Sequence, residues 1–376
     1  MLKSLLVDPS LFTGPYDAAL SQGLEANGVA PLWLTRALRK DEEADIPPDR
    51  TRPIFYPLSD GPRRRTGAAW RMLKGVEHVA GLNQTVRTAR EGYDVVHFQW
   101  ALLPRLDARA IRRIRAVAPV ILTVHDLTPF NGKAVSAAQR SGLGEVLHGV
   151  DALIVHTESG RESLVSDGLP AERVHHVPHG PLALKVKSTG KSDRSGRWRI
   201  VMFGRIQAYK GVDTLVEAAG RLGSDVRNQI EIVIAGEPMI DMDPIRNRAD
   251  ALGLNATIDF RLYRHNDADM AALLQSADAF AFPYRAIEAS GVLFLVADLN
   301  KWLLASDVGA FRDMVQDGQN GSIFPPDDPA ALANAISASI GRIPAASERR
   351  VPDWSTIGAM TRRVYETAIH NHRAAA

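Results

Sequence analysis

The chain has no cysteine among its 376 residues. Disulfides, thiolate nucleophiles, cysteine-ligated zinc and iron–sulfur clusters are therefore excluded. No apolar run approaches the ~20 residues needed to cross a bilayer. The opening MLKSLLVDPSLF has a single lysine, a short apolar stretch and no small-residue cleavage site. It reads as a first β-strand rather than a signal peptide, and a cytoplasmic protein is expected. Several motifs are missing too. There is no Walker phosphate loop and no Gly-x-Ser-x-Gly elbow. The N-terminal loop Thr13-Gly14-Pro15-Tyr16-Asp17 lacks the three spaced glycines of a dinucleotide fingerprint, which disfavours a Rossmann dehydrogenase. His175, His176 and His179 crowd one strand and its loop. Neighbouring strand residues face opposite ways and no nearby carboxylate completes a set, so no metal is expected there.

Charge of either sign is nearly absent in the balance, at +2, but it is unevenly spread. Residues 61–116 hold twelve Lys and Arg against four acids, and the remainder is acidic. Trp70, Met72, Leu73 and Val76 lie among these basic residues. Such a block is either a solvated face or a surface for an anionic partner. The apolar interleaving suits an interfacial helix on an anionic membrane better than a nucleic-acid groove, so no nucleic acid is expected.

Short apolar runs alternate with amphipathic stretches along the whole chain. The runs lie at 2–8, 94–98, 119–125, 152–157, 173–178, 199–204, 230–236, 257–263, 279–284 and 302–307. Near-continuous apolar strands separated by helices mean an α/β protein with parallel sheets covered on both faces. The polar stretch LKVKSTGKSDRSGR, 184–197, reads as a linker. It divides the chain into two doubly wound, Rossmann-like domains, 1–183 and 198–353, expected to face each other across a cleft. In open parallel sheets ligands bind beyond the carboxyl ends of the strands, so the loops after each strand carry the functional weight.

The loop FGRIQAYKG follows the strand at 199–204 and runs into a helical pattern. Gly204 allows a tight turn at the strand end. Arg205 offers a planar fork for two phosphate oxygens, and Lys210 is a compact point charge. The free N–H groups of the following helix favour an anion as well. A solvated basic loop is the competing reading. After the strand at 279–284 comes Arg285-Ala286-Ile287-Glu288-Ala289-Ser290-Gly291-Val292. Here Ser290 can cap a helix, Gly291 lets a phosphate approach the backbone, and Glu288 can accept bonds from sugar hydroxyls. In the first half, His125-Asp126 closes the strand at 119–125, and Gly14 opens the first helix.

Taken in order, these segments resemble the GT-B glycosyltransferases, specifically their retaining family-4-like group. The resemblance is carried by YDVVHFQW, PVILTVHDLTP, the stretch GVDALIVHTESGRESLVSDGLPAERVHHVPHG, RIVMFGRIQAYKGVDTLVEA, SADAFAFPY, SDVGAFRDMVQDGQNGSIFPPDDPAALANAI and DWSTIGAMTRRVYETAI. It implies a donor that is a nucleotide-diphosphate sugar and an acceptor that is a glycan or lipid-linked. It implies that Arg205 and Lys210 bind the donor diphosphate, and that Glu288 touches the donor sugar. Ser290, Gly291 and Val292 would offer backbone donors to the phosphates. His125 would lie near the anomeric carbon, and Gly14 would shape the loop beside donor and acceptor. It also implies that a C-terminal helix, 354–376, crosses back onto the first domain, and that neither a cofactor nor a metal is required. Two departures stand out. Val296 occupies the place of the group's second glutamate, and the first-domain glycine pair is reduced to Gly14. A sugar-nucleotide epimerase and a non-catalytic nucleotide-binding partner of a membrane assembly remain as alternatives. A glycosyltransferase of this kind with a lipid-linked acceptor would work peripherally at the inner face of the cell membrane.

Overall fold

The computed structural model describes residues 1–40, 42–61, 65, 67–127, 142–182, 195–287, 290–345 and 351–375. The chain divides into two compact units. The described part of the first comprises 1–127, 142–180 and 352–375, and that of the second 181–182, 195–287, 290–345 and 351.

The first unit is built on a seven-stranded sheet. Its strands are β1 (Leu2–Asp8), β2 (Val29–Arg36), β3 (Thr51–Phe55), β4 (Val95–Phe98), β5 (Val120–Val124), β6 (Ala152–Val155) and β7 (Val174–His176). Their order is β3-β2-β1-β4-β5-β6-β7, and all neighbours are parallel. β2 and β3 are not among the apolar runs of the sequence, because Pro31 and the pair Arg52-Pro53 interrupt them. Both prolines are tolerated by position. β3 reaches only Trp33 to Arg36 of β2, so Pro31 lies beyond that ladder, and Pro53 sits on the edge strand.

Helices cover both faces of this sheet. One apolar layer contains Phe55, Leu82, Val86 and Ile111, the last three from the helices Ala68–Ala89 and Pro104–Ile114. The other contains Tyr16, Leu20, Ile357 and Tyr365, from the helix Gly14–Ala26 and the C-terminal helix Trp354–Ala375. Those two helices cross at glycines: a Cβ on Gly23 or Gly358 would collide with the other helix's backbone. Asn27 Nδ2 donates to Ser355 O at 2.8 Å, and Arg362 Nη1 donates to Asn27 O at 2.7 Å.

The second unit carries six parallel strands, β8 (Trp198–Phe203), β9 (Ile230–Ala235), β10 (Ile258–Arg261), β11 (Ala279–Phe282), β12 (Trp302–Ser306) and β13 (Gly321–Phe324). Their order is β10-β9-β8-β11-β12-β13. β13 escapes an apolar-run reading because it is four residues, GSIF, and opens on glycine. One core holds the interior of this unit, from Ile200 and Val233 to Phe311 and Ile336. Most of the stretch expected as a linker, 184–197, lies outside the described residues.

Candidate active site

In the second unit the exits of β8, β9 and β11 are knotted together by backbone contacts. Gly204 N donates to Ala235 O at 3.0 Å and Ile206 N to Glu237 O at 2.9 Å. Gly204 adopts φ +107°, which a side chain would strain, and a Cβ there would press on Lys210 Nζ and Val292. After a short turn, Ala208–Lys210, Gly211 enters the left-handed region at φ +67° beneath Pro283 O, and the helix Val212–Arg221 begins. The chain thus brings Gly204, Lys210 and Val292 into one cradle.

Lys210 is the unusual member. Its side chain is only 6% exposed, and its Nζ sits 5.5 Å from the centre of the Tyr284 ring. Burial, with the nearby Arg205 guanidinium adding repulsion, lowers its pKa to about 8. Arg205 itself is exposed. Among the described residues neither cation has a carboxylate partner. Ser290 caps the helix Gly291–Val296, its Oγ accepting from Leu293 N at 3.4 Å. Gly291 has open space around it. Val296 is 2% exposed and packs in the core, so the position of the group's second glutamate faces the interior here. Glu288, expected at the donor sugar, lies outside the described residues.

Arg285, to which the sequence reading gave no role, organises this loop. Its backbone N donates to Tyr209 O at 2.7 Å and its Nη1 to Ala208 O at 2.6 Å. Its Nη2 meets Asp213 at 2.7 Å and its Nε meets Asp327 at 2.6 Å. One guanidinium thereby ties the turn before Lys210 to the first turn of the helix after it. The only sequence signal is an arginine three residues beyond the strand end.

In the first unit, the carboxyl ends of β1, β4, β5, β6 and β7 converge on Tyr16. Its ring lies 5.0 Å from His125, 5.4 Å from His156, 4.9 Å from His179 and 5.3 Å from Trp354. Trp100 stacks on His125 at 4.8 Å. The pKa values of these histidines fall because burial disfavours the charged ring, with neighbouring histidines adding to it for all three: His125 well below the usual value, His156 to about 4 and His179 to about 3. Beside them Asp8 and Asp17 are buried, bridged by Thr13 Oγ1 at 3.4 and 3.2 Å. Burial raises both pKa values, that of Asp17 well above the ordinary range. A Cβ on Gly14 would press on the Asp45 carboxylate, which would have to shift. So Gly14 and His125 belong to one cluster of the first unit, while Gly204, Arg205, Lys210, Ser290, Gly291 and Val292 belong to the second.

Elsewhere, Glu158 Oε2 lies 3.3 Å from His176 Nδ1, so this histidine has one carboxylate neighbour. The reason is local: Glu158 opens the helix after β6, beside β7. Among the described residues no group of three or more His, Asp or Glu is placed to hold a metal. The helix Ala68–Ala89 exposes Met72 (76%), Val76 (67%) and Val79, a stripe at helical spacing. Arg71, Arg87, Arg90, Arg109 and Arg112 are exposed on this helix and its neighbour Pro104–Ile114, with no carboxylate partner among the described residues. Lys74 is engaged by Asp60, and Arg63 and Arg64 lie outside the described residues.

Two family models match the chain in succession: Glycosyltransferase Family 4 over residues 18–180 and Glycosyl transferases group 1 over residues 187–340. A phosphatidyl-myo-inositol mannosyltransferase of Mycolicibacterium smegmatis is 28% identical over 297 residues, 74% of this chain and 72% of that protein. A D-inositol 3-phosphate glycosyltransferase of the same organism is 28% identical over 323 residues, 78% and 72% of the two chains. Among solved structures, HepE of Anabaena in complex with UDP and glucose superposes with a TM-score of 0.62 at 17% identity, covering 100% of this chain and 99% of its own. The catalytic domain of starch synthase IV from Arabidopsis thaliana, bound to ADP and acarbose, gives 0.69 at 11% identity, covering 98% and 99%. The protein is a glycosyltransferase with the two-domain GT-B fold. It belongs to the family-4-like group of those enzymes.

Proposed function

We propose that this glycosyltransferase takes its sugar from a nucleotide-diphosphate sugar, with retention, and passes it to a glycan or lipid-linked acceptor. The observation that carries the reading is Lys210, a buried cation without a carboxylate partner among the described residues, beside Arg205 and at the foot of a helix. A buried charge left unpaired is costly, and a diphosphate supplies the missing partner. As the glycosidic bond to the diphosphate breaks, negative charge builds on the leaving group and positive charge on the sugar. Lys210 and Arg205 stabilise the first without reorganisation. The departing phosphate can itself take the acceptor's proton, so no side-chain base is called for and no metal is needed to neutralise the leaving group. The likeness to a phosphatidyl-myo-inositol mannosyltransferase and a D-inositol 3-phosphate glycosyltransferase supports sugar transfer, and the first supports a lipid-linked acceptor. The UDP and ADP of the structural neighbours support a nucleotide leaving group.

The stripe Met72, Val76 and Val79, flanked by arginines without a carboxylate partner among the described residues, supports contact with an anionic membrane surface. The test of the donor assignment is thermal denaturation with UDP-, GDP- and ADP-sugars. One of them at a hundred times its dissociation constant should stabilise the protein by about 2.7 kcal/mol. Lys210→Ala should abolish most of that shift, and raising the pH above the Lys210 pKa of about 8 should diminish it. No shift with any nucleotide sugar, or an undiminished one in Lys210→Ala, contradicts the assignment.

A further inference from the structure

A chain of hydrogen bonds runs inward from His125, and its polarity is fixed from the far end. His156 Nδ1 lies 3.0 Å from Val177 O. A carbonyl only accepts, so His156 Nδ1 carries the proton, and in the neutral ring His156 Nε2 is a bare lone pair. That lone pair faces His125 Nδ1 at 3.2 Å, which must therefore donate. His125 is neutral as well, so its Nε2 is bare. The remaining partner, 3.0 Å from that Nε2, is the Gln99 carboxamide. A bare nitrogen needs a donor, so the amide nitrogen of Gln99 belongs at this contact. The two ends of a carboxamide are exchanged by a half-turn and are decided by their partners. With the oxygen placed toward His125, the Gln99 N–H₂ is buried with no partner. The half-turn replaces that orphan donor by an acceptor, the less costly group to leave unsatisfied.

We infer that Gln99 and His156 are positioning residues that hold His125 as its neutral Nδ1–H tautomer and occupy both ring nitrogens. Both ring nitrogens are then engaged within the unit. His125 presents a neutral surface to its surroundings and is not a proton acceptor. The ionisable groups around it are consistent with this: His97, His156 and His179 each disfavour a second charge, and Tyr16 packs edge-on. Asp126 follows it in the chain. The bearing of this tautomer on catalysis rests on the proposed transfer reaction; the tautomer itself does not.

The test is long-range proton–nitrogen correlation NMR on the whole protein carrying 15N-labelled histidine. The wild-type His125 should show a protonated Nδ1 and a bare Nε2 at neutral pH. His156→Phe removes the acceptor from Nδ1, so the ring should no longer be held in one tautomer. Gln99→Met removes the donor to Nε2, so the Nε2 resonance should move toward that of a nitrogen without a hydrogen bond while Nδ1 stays protonated. A wild-type ring protonated at Nε2, or at both nitrogens, overturns the inference. So does an unchanged tautomer in His156→Phe or an unmoved Nε2 resonance in Gln99→Met. If the wild-type tautomer is as stated but the protein transfers no sugar, the inference stands and the proposed reaction falls.

Discussion

Acidification should destabilise the first unit through its buried histidines. His97, His156 and His179 have pKa values lowered to about 3, about 4 and about 3, all with burial as the largest cause. In the unfolded chain each returns to about 6.5. Between those values the unfolded state binds more protons than the native state, so stability rises with pH and is lost as pH falls below the unfolded value. From about pH 7.5 to about pH 5, each such histidine removes about 2 kcal/mol, and three remove about 6 kcal/mol, a large part of a typical folding free energy. The raised carboxyls of Asp8 and Asp17 act in the opposite sense, because protonation favours their native form. A single substitution isolates one term from this sum. His97 bonds Tyr365 Oη at 2.8 Å and Thr123 Oγ1 at 2.7 Å, and glutamine keeps a donor and an acceptor there without titrating. Urea unfolding at the two pH values, with hydrogen exchange distinguishing the two units, gives the double difference. His97→Gln should lose about 2 kcal/mol less than the wild type on acidification, whatever its starting stability. Equal losses in the two proteins, or a wild type more stable at the lower pH, would refute the reasoning.

Two further predictions concern the second unit and the basic face. Arg285→Ala releases the turn before Lys210 from Asp213 and Asp327; because these pairs are half-exposed it should cost about 1 kcal/mol or less in stability. Turnover should nonetheless fall by about tenfold, through loss of the geometry at Lys210, and steady-state kinetics against unfolding curves would separate the two effects. On the basic face, wild-type protein should float with phosphatidylglycerol vesicles at low salt and be released at high salt. Met72→Asp with Val76→Asp should remain at the bottom of the gradient; flotation unaffected by salt or by this pair would show that the face does not touch lipid.

Much of the architecture was legible because α/β patterning is local. Ten of the strands announce themselves as apolar runs, and Gly204, Arg205 and Lys210 stand together in nine residues of sequence. β2, β3 and β13 were hidden by proline, by charge and by shortness, and each is tolerated through its place in the sheet rather than its composition. The helix Ala68–Ala89 was readable as amphipathic, but which of its apolar residues face outward was not, since that depends on the sheet beneath. Of the cluster around Tyr16, only His125 and the neighbouring Gly14 were singled out, and its assembly could not be read. It gathers residues 99, 125, 156, 179 and 354, which no periodicity connects, and the sense of its hydrogen bonds is set by one carbonyl at Val177. Arg285 was equally invisible in role, because the three segments it ties meet only in the folded unit.

The central claim is that Lys210 and Arg205 assist departure of a nucleotide diphosphate during sugar transfer. The direct measurement is transfer of radiolabelled sugar from UDP-, GDP- and ADP-sugars into a bacterial lipid and glycan extract, with wild type, Lys210→Ala and Arg205→Ala compared side by side. One donor should deliver label to an acceptor with the wild type, and each substitution should lower that rate by on the order of a hundredfold while the protein stays folded. Near-wild-type transfer by both variants would contradict the account, as would nucleotide sugar that is bound and altered with no label reaching any acceptor.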